Sequence, residues 1–211
     1  EESPSIEHLS NKLFQLGHEH EIDGDIFDME FTPNRVDGLS INGLLRDLAV
    51  FYTVDLNQQV FSEKLNELQL DFENLSESNC PKISFLKLEI DQVPETYKNS
   101  LDNYFLDLGL NKNNFFTDVS NYLSYETGQP THCYDANTIN SKLVFHEIEK
   151  NIEFETLLDK KITLTGKNSV FSLNDNIINL AGVVGGKSTS CSTNTKTVIV
   201  ECAFFQPEAI I

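Results

Sequence analysis

Five short runs rich in β-branched and aromatic residues, near 143–148, 152–157, 161–165, 176–181 and 197–203, constrain the fold of this 211-residue chain more than any other feature. Each is shorter than the ~10–12 residues expected of a helix, and polar turns separate them, so they read as strands. The first half reads differently. Ser5 can cap a helix whose apolar positions Ile6, Leu9, Leu13 and Leu16 share one face, with Gly17 as its stop. Phe27, Met29 and Phe31 then alternate with Asp28 and Glu30, the period of a half-buried strand, which Thr32-Pro33-Asn34-Arg35 breaks. After Ser40 a second helix is predicted, with Ile41, Leu44, Leu45 and Leu48 facing inward and Arg46 and Asp47 outward. Residues 54–80 are rich in Asn, Gln and Glu and read as an irregular, solvated stretch. Beyond Pro81, Leu86, Leu88 and Ile90 alternate as a strand, and Tyr97, Leu101, Tyr104, Phe105 and Leu108 repeat at helical spacing up to Gly109.

A few helices and many short strands, without strict alternation, predict an α+β fold with a mixed, barrel-like β core and flanking helices. The expected organisation is an N-terminal helical and strand segment over 1–53, a polar connecting stretch over 54–80, and a core over 81–211. Phenylalanine, at 15 residues against no Trp and one Met, is expected to fill most of that core.

Charge limits the partners. A formal net charge of -18 repels a phosphate backbone at long range, so any nucleic-acid substrate must be held by something other than bulk attraction to this chain. No apolar run approaches the ~18 residues of a membrane span. The start, Glu-Glu-Ser-Pro, lacks the basic and apolar parts of a signal peptide, and a soluble cytoplasmic chain is expected. Cys80, Cys133, Cys191 and Cys202 form no CxxC pair and read as buried, reduced thiols. His132, Cys133 and Asp135 lack usual metal-site spacing, so no metal is expected.

Two stretches could carry chemistry. In Val198-Ile-Val-Glu201-Cys-Ala203 a carboxylate sits in an apolar strand. It either points to water from an edge, or is buried as an acceptor for one polar group of a ligand, where an unmet charge would cost several kcal/mol. In Gly128-Gln-Pro130-Thr-His132-Cys-Tyr-Asp135 a turn fixes the backbone before a histidine, which is either a satisfied structural residue or part of a site. Gly185-Gly186, after Leu180-Ala-Gly-Val-Val, either makes a tight turn or lets backbone approach a ligand.

Taken in order, Thr32-Pro-Asn-Arg-Val-Asp37, Gly128-Gln-Pro-Thr-His-Cys-Tyr-Asp135, Leu157-Leu-Asp159, Leu180-Ala-Gly-Val-Val-Gly-Gly186 and Glu201-Cys-Ala-Phe-Phe205 resemble segments of one family. It is the editing module of the beta subunit of bacterial phenylalanyl-tRNA synthetase. The likeness covers roughly residues 25–211, and Ile6–Glu21 resembles the start of that subunit.

The resemblance implies part of an aminoacyl-tRNA ligase that hydrolyses tyrosine wrongly attached to phenylalanine's tRNA, by water attack on the ester. It implies that Glu201 accepts a hydrogen bond from the tyrosine hydroxyl, that His132 and Pro130 line the scissile ester, that Gly185 leaves room for the amino acid, that backbone donors near Gly185 and His132 position the attacking water as the catalytic groups, and that Gly186 touches the substrate. The implied partners are the synthetase alpha subunit and the acceptor end of tRNA(Phe). ATP and magnesium are expected only for the complete synthetase, and no cofactor for this module. The alternative is a structural module whose editing site has degenerated.

There are departures too. Where the family carries an arginine after a Gly-hydrophobic pair, Gly109-Leu110 is followed by Asn111, at a position expected to touch substrate, and Lys112. The tRNA-binding insertion is absent between Glu21 and Asp25, and the expected continuation past Ile211 into a Thr-Asp-Ala-Ser-like segment lies outside the sequence.

Overall fold

The computed structural model describes residues 3–56, 61–97 and 99–210; Glu1, Glu2, residues 57–60 of the polar stretch, Lys98 and Ile211 lie outside it. The chain opens with α1 (Ile6–Gln15), β1 (Glu19–Asp23), β2 (Ile26–Glu30) and α2 (Ile41–Tyr52), followed by β3 (Phe72–Asn74) and β4 (Lys82–Glu89). Two further helices, α3 (Asn99–Asp107) and α4 (Phe115–Thr127), lead into β5 (His132–Asp135), β6 (Leu143–Glu149), β7 (Ile152–Glu155) and β8 (Lys161–Leu164). The order closes with β9 (Lys167–Leu173), β10 (Asn176–Leu180), β11 (Val184–Gly185) and β12 (Thr197–Phe204). The fold is α+β, and its strands lie in separate open sheets with no closed barrel among the described residues.

The chain falls into two compact units. The first holds residues 1–64, 96–112 and 121–129. There the Ser5 hydroxyl accepts the His8 N–H at 3.2 Å to start α1, and the helix buries Leu13 before Gly17 turns the chain at φ +83. β1 and β2 form a hairpin through Gly24 and Asp25, with Ile22 opposite Phe27. Ser40 caps α2 by accepting the Gly43 N–H at 3.0 Å. We expect Ser40→Ala to cost about 1 kcal/mol, read as a shift in the denaturant midpoint at unchanged slope.

Two parts of the predicted α2 face differ. Ile41 and Leu45, expected inward, are 48% and 42% exposed. Asp47, expected outward, takes the Nε2 of buried His18 at 2.9 Å and the Arg35 guanidinium at 2.5 Å. The polar partners override the periodicity because a buried imidazole must be hydrogen-bonded.

The second unit holds residues 65–95, 113–120 and 130–211. Its five-stranded sheet runs β11-β10-β9-β6-β3 and its three-stranded sheet β4-β12-β5, with β7 and β8 as a separate pair. β3 pairs in parallel with β6, so the stretch read as irregular contains a strand, with Phe72 packed on the core. That core gathers Tyr134, Leu143, Phe145, Phe171, Leu173 and Ile178. Aromatic edges give it shape: Phe145 and Phe171 lie 5.0 Å apart between ring centres. A second cluster, Ile148, Phe154, Leu164 and Val170, lies where β6 and β9 meet the β7–β8 pair.

Candidate active site

β12 is the strand that positions the site. It pairs antiparallel along its whole length with β4 and over four residues with β5, where Glu201 stands opposite His132 and Ile199 opposite Tyr134. Residues directly opposite in such a ladder point to the same face, so Glu201, His132 and Tyr134 share one side of the sheet. That side is the interior: Glu201 is 4% exposed and Tyr134 fully buried.

Burial decides the chemistry of Glu201. It pushes the carboxyl up to about 7, although the Tyr134 hydroxyl favours the ionised form. The carboxylate has partners inside the chain. Tyr134 donates its phenol to Oε2 at 2.5 Å, and Asn179 on β10 donates from Nδ2 to the phenol oxygen at 2.7 Å and to Oε2 at 3.4 Å. A glutamate whose only donor is a ligand's hydroxyl is therefore not what the fold shows. Tyr134 and Asn179 were not among the residues singled out from the sequence. Their signal was there to read, since a tyrosine and an asparagine inside apolar strands must each find a buried partner.

His132 packs against Tyr134, with ring centres 4.5 Å apart in an edge-on arrangement. Its Nε2 is buried and meets no hydrogen-bond partner among the described residues. Burial lowers the imidazole to about 4, so at neutral pH the ring is uncharged. Against it lies Gly185, and a Cβ built there would fall 2.2 Å from His132 Cε1 and 2.8 Å from Nε2. The ring occupies the space that the missing side chain leaves. Gly186 is equally confined, because a Cβ there would lie 2.6 Å from the Ile178 carbonyl oxygen. Its N–H donates to that oxygen at 2.7 Å, and the Gly185 carbonyl accepts from Leu157 at 2.9 Å. The Gly186 N–H is thus spent on the sheet and is not a free donor.

His132, Gly185 and Glu201 are brought together, with Gly186 next to them. Pro130 lies two residues before His132, exposed at the end of the turn. Asn111 is an exposed residue of the first unit, as is Lys112, whose ammonium pairs with Asp102 at 2.5 Å. A cavity of about 710 Å³ also lies in the first unit, lined by Phe14, Met29 and the carboxylates of Glu19, Glu21, Asp28 and Glu30, and no residue of the constellation borders it. Cys80 belongs to the core, Cys133 to β5, and Cys191 lies against the Cys133 carbonyl; burial pushes Cys80 and Cys133 up to about 11 and Cys191 up to about 12. None of them is a thiolate at neutral pH. Among the described residues no group of three or more His, Cys, Asp or Glu side chains could hold a metal ion, and no helix is long and apolar enough to cross a membrane.

Comparison with known proteins gives this geometry a context. Residues 85–211 match the model of the family described as the B3/4 domain. The chain is 32% identical to the phenylalanine–tRNA ligase beta subunit of Ehrlichia canis over 197 residues, 88% of this chain and 24% of that protein. With the same subunit from Wolbachia sp. subsp. Brugia malayi it is 27% identical over 227 residues, 100% of this chain and 28% of that protein. It therefore spans about a quarter of the length of the curated relatives it matches. A weaker likeness, TM-score 0.49 at 13% identity, runs over 99% of this chain and 65% of an N-terminal fragment of the phenylalanyl-tRNA synthetase beta-subunit from Pyrococcus horikoshii.

Proposed function

The chain belongs to the B3/4 domain family, and from that premise we propose that it is the editing portion of a phenylalanine–tRNA ligase beta subunit, cleaving tyrosine from mischarged Tyr-tRNA(Phe). The observation that carries this reading is the meeting of Glu201 and His132 on one buried face of β5 and β12, with Gly185 of β11 packed against the His132 ring. The chemistry asked of them is modest, since an aminoacyl ester is already labile. His132, uncharged and with a buried unpartnered Nε2, suits the holding of a water by its lone pair better than transfer of charge. The discrimination required is for one hydroxyl. An apolar pocket alone separates tyrosine from phenylalanine by roughly 10²-fold, whereas a site that hydrogen-bonds the hydroxyl rejects its absence by ~10⁴–10⁵. Glu201 is the acceptor for that task.

In this reading the alpha subunit and the rest of the beta subunit bring the acceptor end of tRNA(Phe) to the site. The charge of -18 gives this chain no attractive field of its own for RNA.

Glu201→Ala in the assembled ligase tests the assignment. It should cost about 1.5–3 kcal/mol of transition-state binding for the tyrosyl ester and leave phenylalanine activation intact. Deacylation of Tyr-tRNA(Phe) at the wild-type rate would refute the role.

A second reading, a structural module with a closed and inactive site, is favoured by one observation. The Tyr134 phenol and the Asn179 amide already occupy Glu201. On that reading the wild-type ligase leaves Tyr-tRNA(Phe) and Phe-tRNA(Phe) equally untouched.

A further inference from the structure

We infer that Tyr134 is a positioning residue that acts through Glu201: its phenol fills the place of a substrate hydroxyl, and a tyrosyl ligand enters by exchanging with it. This rests on the editing reading above.

The geometry is that of a filled site. Tyr134 is fully buried on β5, its ring held edge-on by His132 at 4.5 Å, and its hydroxyl lies 2.5 Å from Glu201 Oε2. Asn179 donates to the phenol oxygen at 2.7 Å, which commits the phenol proton to the carboxylate. The three partners come from three strands, β5, β10 and β12. A glutamate buried to 4% exposure needs such a donor when no ligand is present, because an unpaired charge there is costly.

The exchange follows from the groups involved. A ligand phenol that displaces Tyr134 makes one phenol–carboxylate hydrogen bond as another is lost, with no net change in their number. A phenylalanyl ring that displaces it supplies no phenol and leaves Glu201 only the Asn179 amide, which lies 3.4 Å from Oε2. Tyr134 thus raises the cost of entry for both ligands by the same amount, and Glu201 alone sets the difference between them.

The test is single-turnover deacylation of Tyr-tRNA(Phe) and Phe-tRNA(Phe) by the assembled ligase, wild type against Tyr134→Phe, over a range of enzyme concentration. Removing the phenol removes the shared cost. The half-saturating concentration should fall roughly tenfold for both esters, with the limiting rate and the ratio between esters unchanged. A merely structural tyrosine would lower rates or leave them alone, so a wild type that edits and a variant that binds no tighter overturns the inference while the editing reading stands. Wild type and variant both inactive overturns the two together. Should Tyr134→Phe not fold, Asn179→Ala, which loosens the same phenol, must move saturation in the same direction by a smaller factor, and weaker binding there overturns the inference.

Discussion

Gly185→Val is expected to slow the proposed deacylation ~10²-fold and to destabilise the second unit. Even the first carbon of the new side chain would stand 2.2 Å from the His132 ring and 3.0 Å from Leu157 Cδ2. The imidazole must move, although it already packs edge-on against Tyr134 at 4.5 Å. Overpacking of this kind costs about 1–3 kcal/mol in stability. A displacement of about 1 Å in a positioning group costs ~10²-fold in rate. Thermal unfolding and single-turnover hydrolysis of Tyr-tRNA(Phe) measure the two effects separately. A variant with wild-type hydrolysis would show that His132 takes no part.

The second large effect is on stability against pH. Glu201 is raised from 4.5 to about 7 by burial, so the folded chain holds this proton more tightly than the unfolded chain. Its contribution is fully present below pH 4.5 and is lost as pH rises through 7. His132, lowered from 6.5 to about 4, works in the opposite sense: its contribution is present above pH 6.5 and is lost as pH falls through 4. Between pH 4.5 and 6.5 the two slopes oppose one another, and the pair leaves stability nearly flat. Glu201→Gln keeps an acceptor for Tyr134 but removes one titration. Relative to wild type it should gain on the order of 3 kcal/mol between pH 4.5 and pH 8. Denaturant unfolding at both pH values checks this, and equal pH dependence of the two proteins would contradict the burial of an ionisable Glu201.

What was legible in the sequence was local. The cap at Ser5, the stop at Gly17 and the strands near 143–148 and 197–203 follow from periodicity and turn residues, and the structure has them as β6 and β12, each one residue longer. The β1 strand was missed because Glu-His-Glu-Ile-Asp carries no apolar alternation, although Asp23-Gly24 is a hairpin turn signal. β9 and the helix over Phe115–Thr127 also lie outside the expected elements, although Phe115, Val119, Tyr122 and Leu123 of that helix repeat at helical spacing. β3 was hidden for a different reason. It is three residues long, and its parallel partner β6 lies about seventy residues further on.

The site was legible in its parts but not in its state. Glu201, His132 and Gly185 were picked out as chemistry-bearing positions, and the fold brings these three together. That Glu201 would meet Tyr134 and Asn179 depends on the register of three strands, which no single segment encodes.

That register has a consequence for how such a chain can change over time. β12 is matched residue for residue to β4 from Thr197 to Phe204, and to β5 from Val198 to Glu201. Side chains on a strand alternate, so one residue inserted or deleted between Thr197 and Glu201 would turn Glu201 outward and bring Val200 or Cys202 in against His132. Point substitutions can be accommodated along this strand, but a change of length cannot. Differences in length among descendants of this sequence should therefore collect outside the ladder, in stretches such as the exposed turn at Thr193 and Asn194.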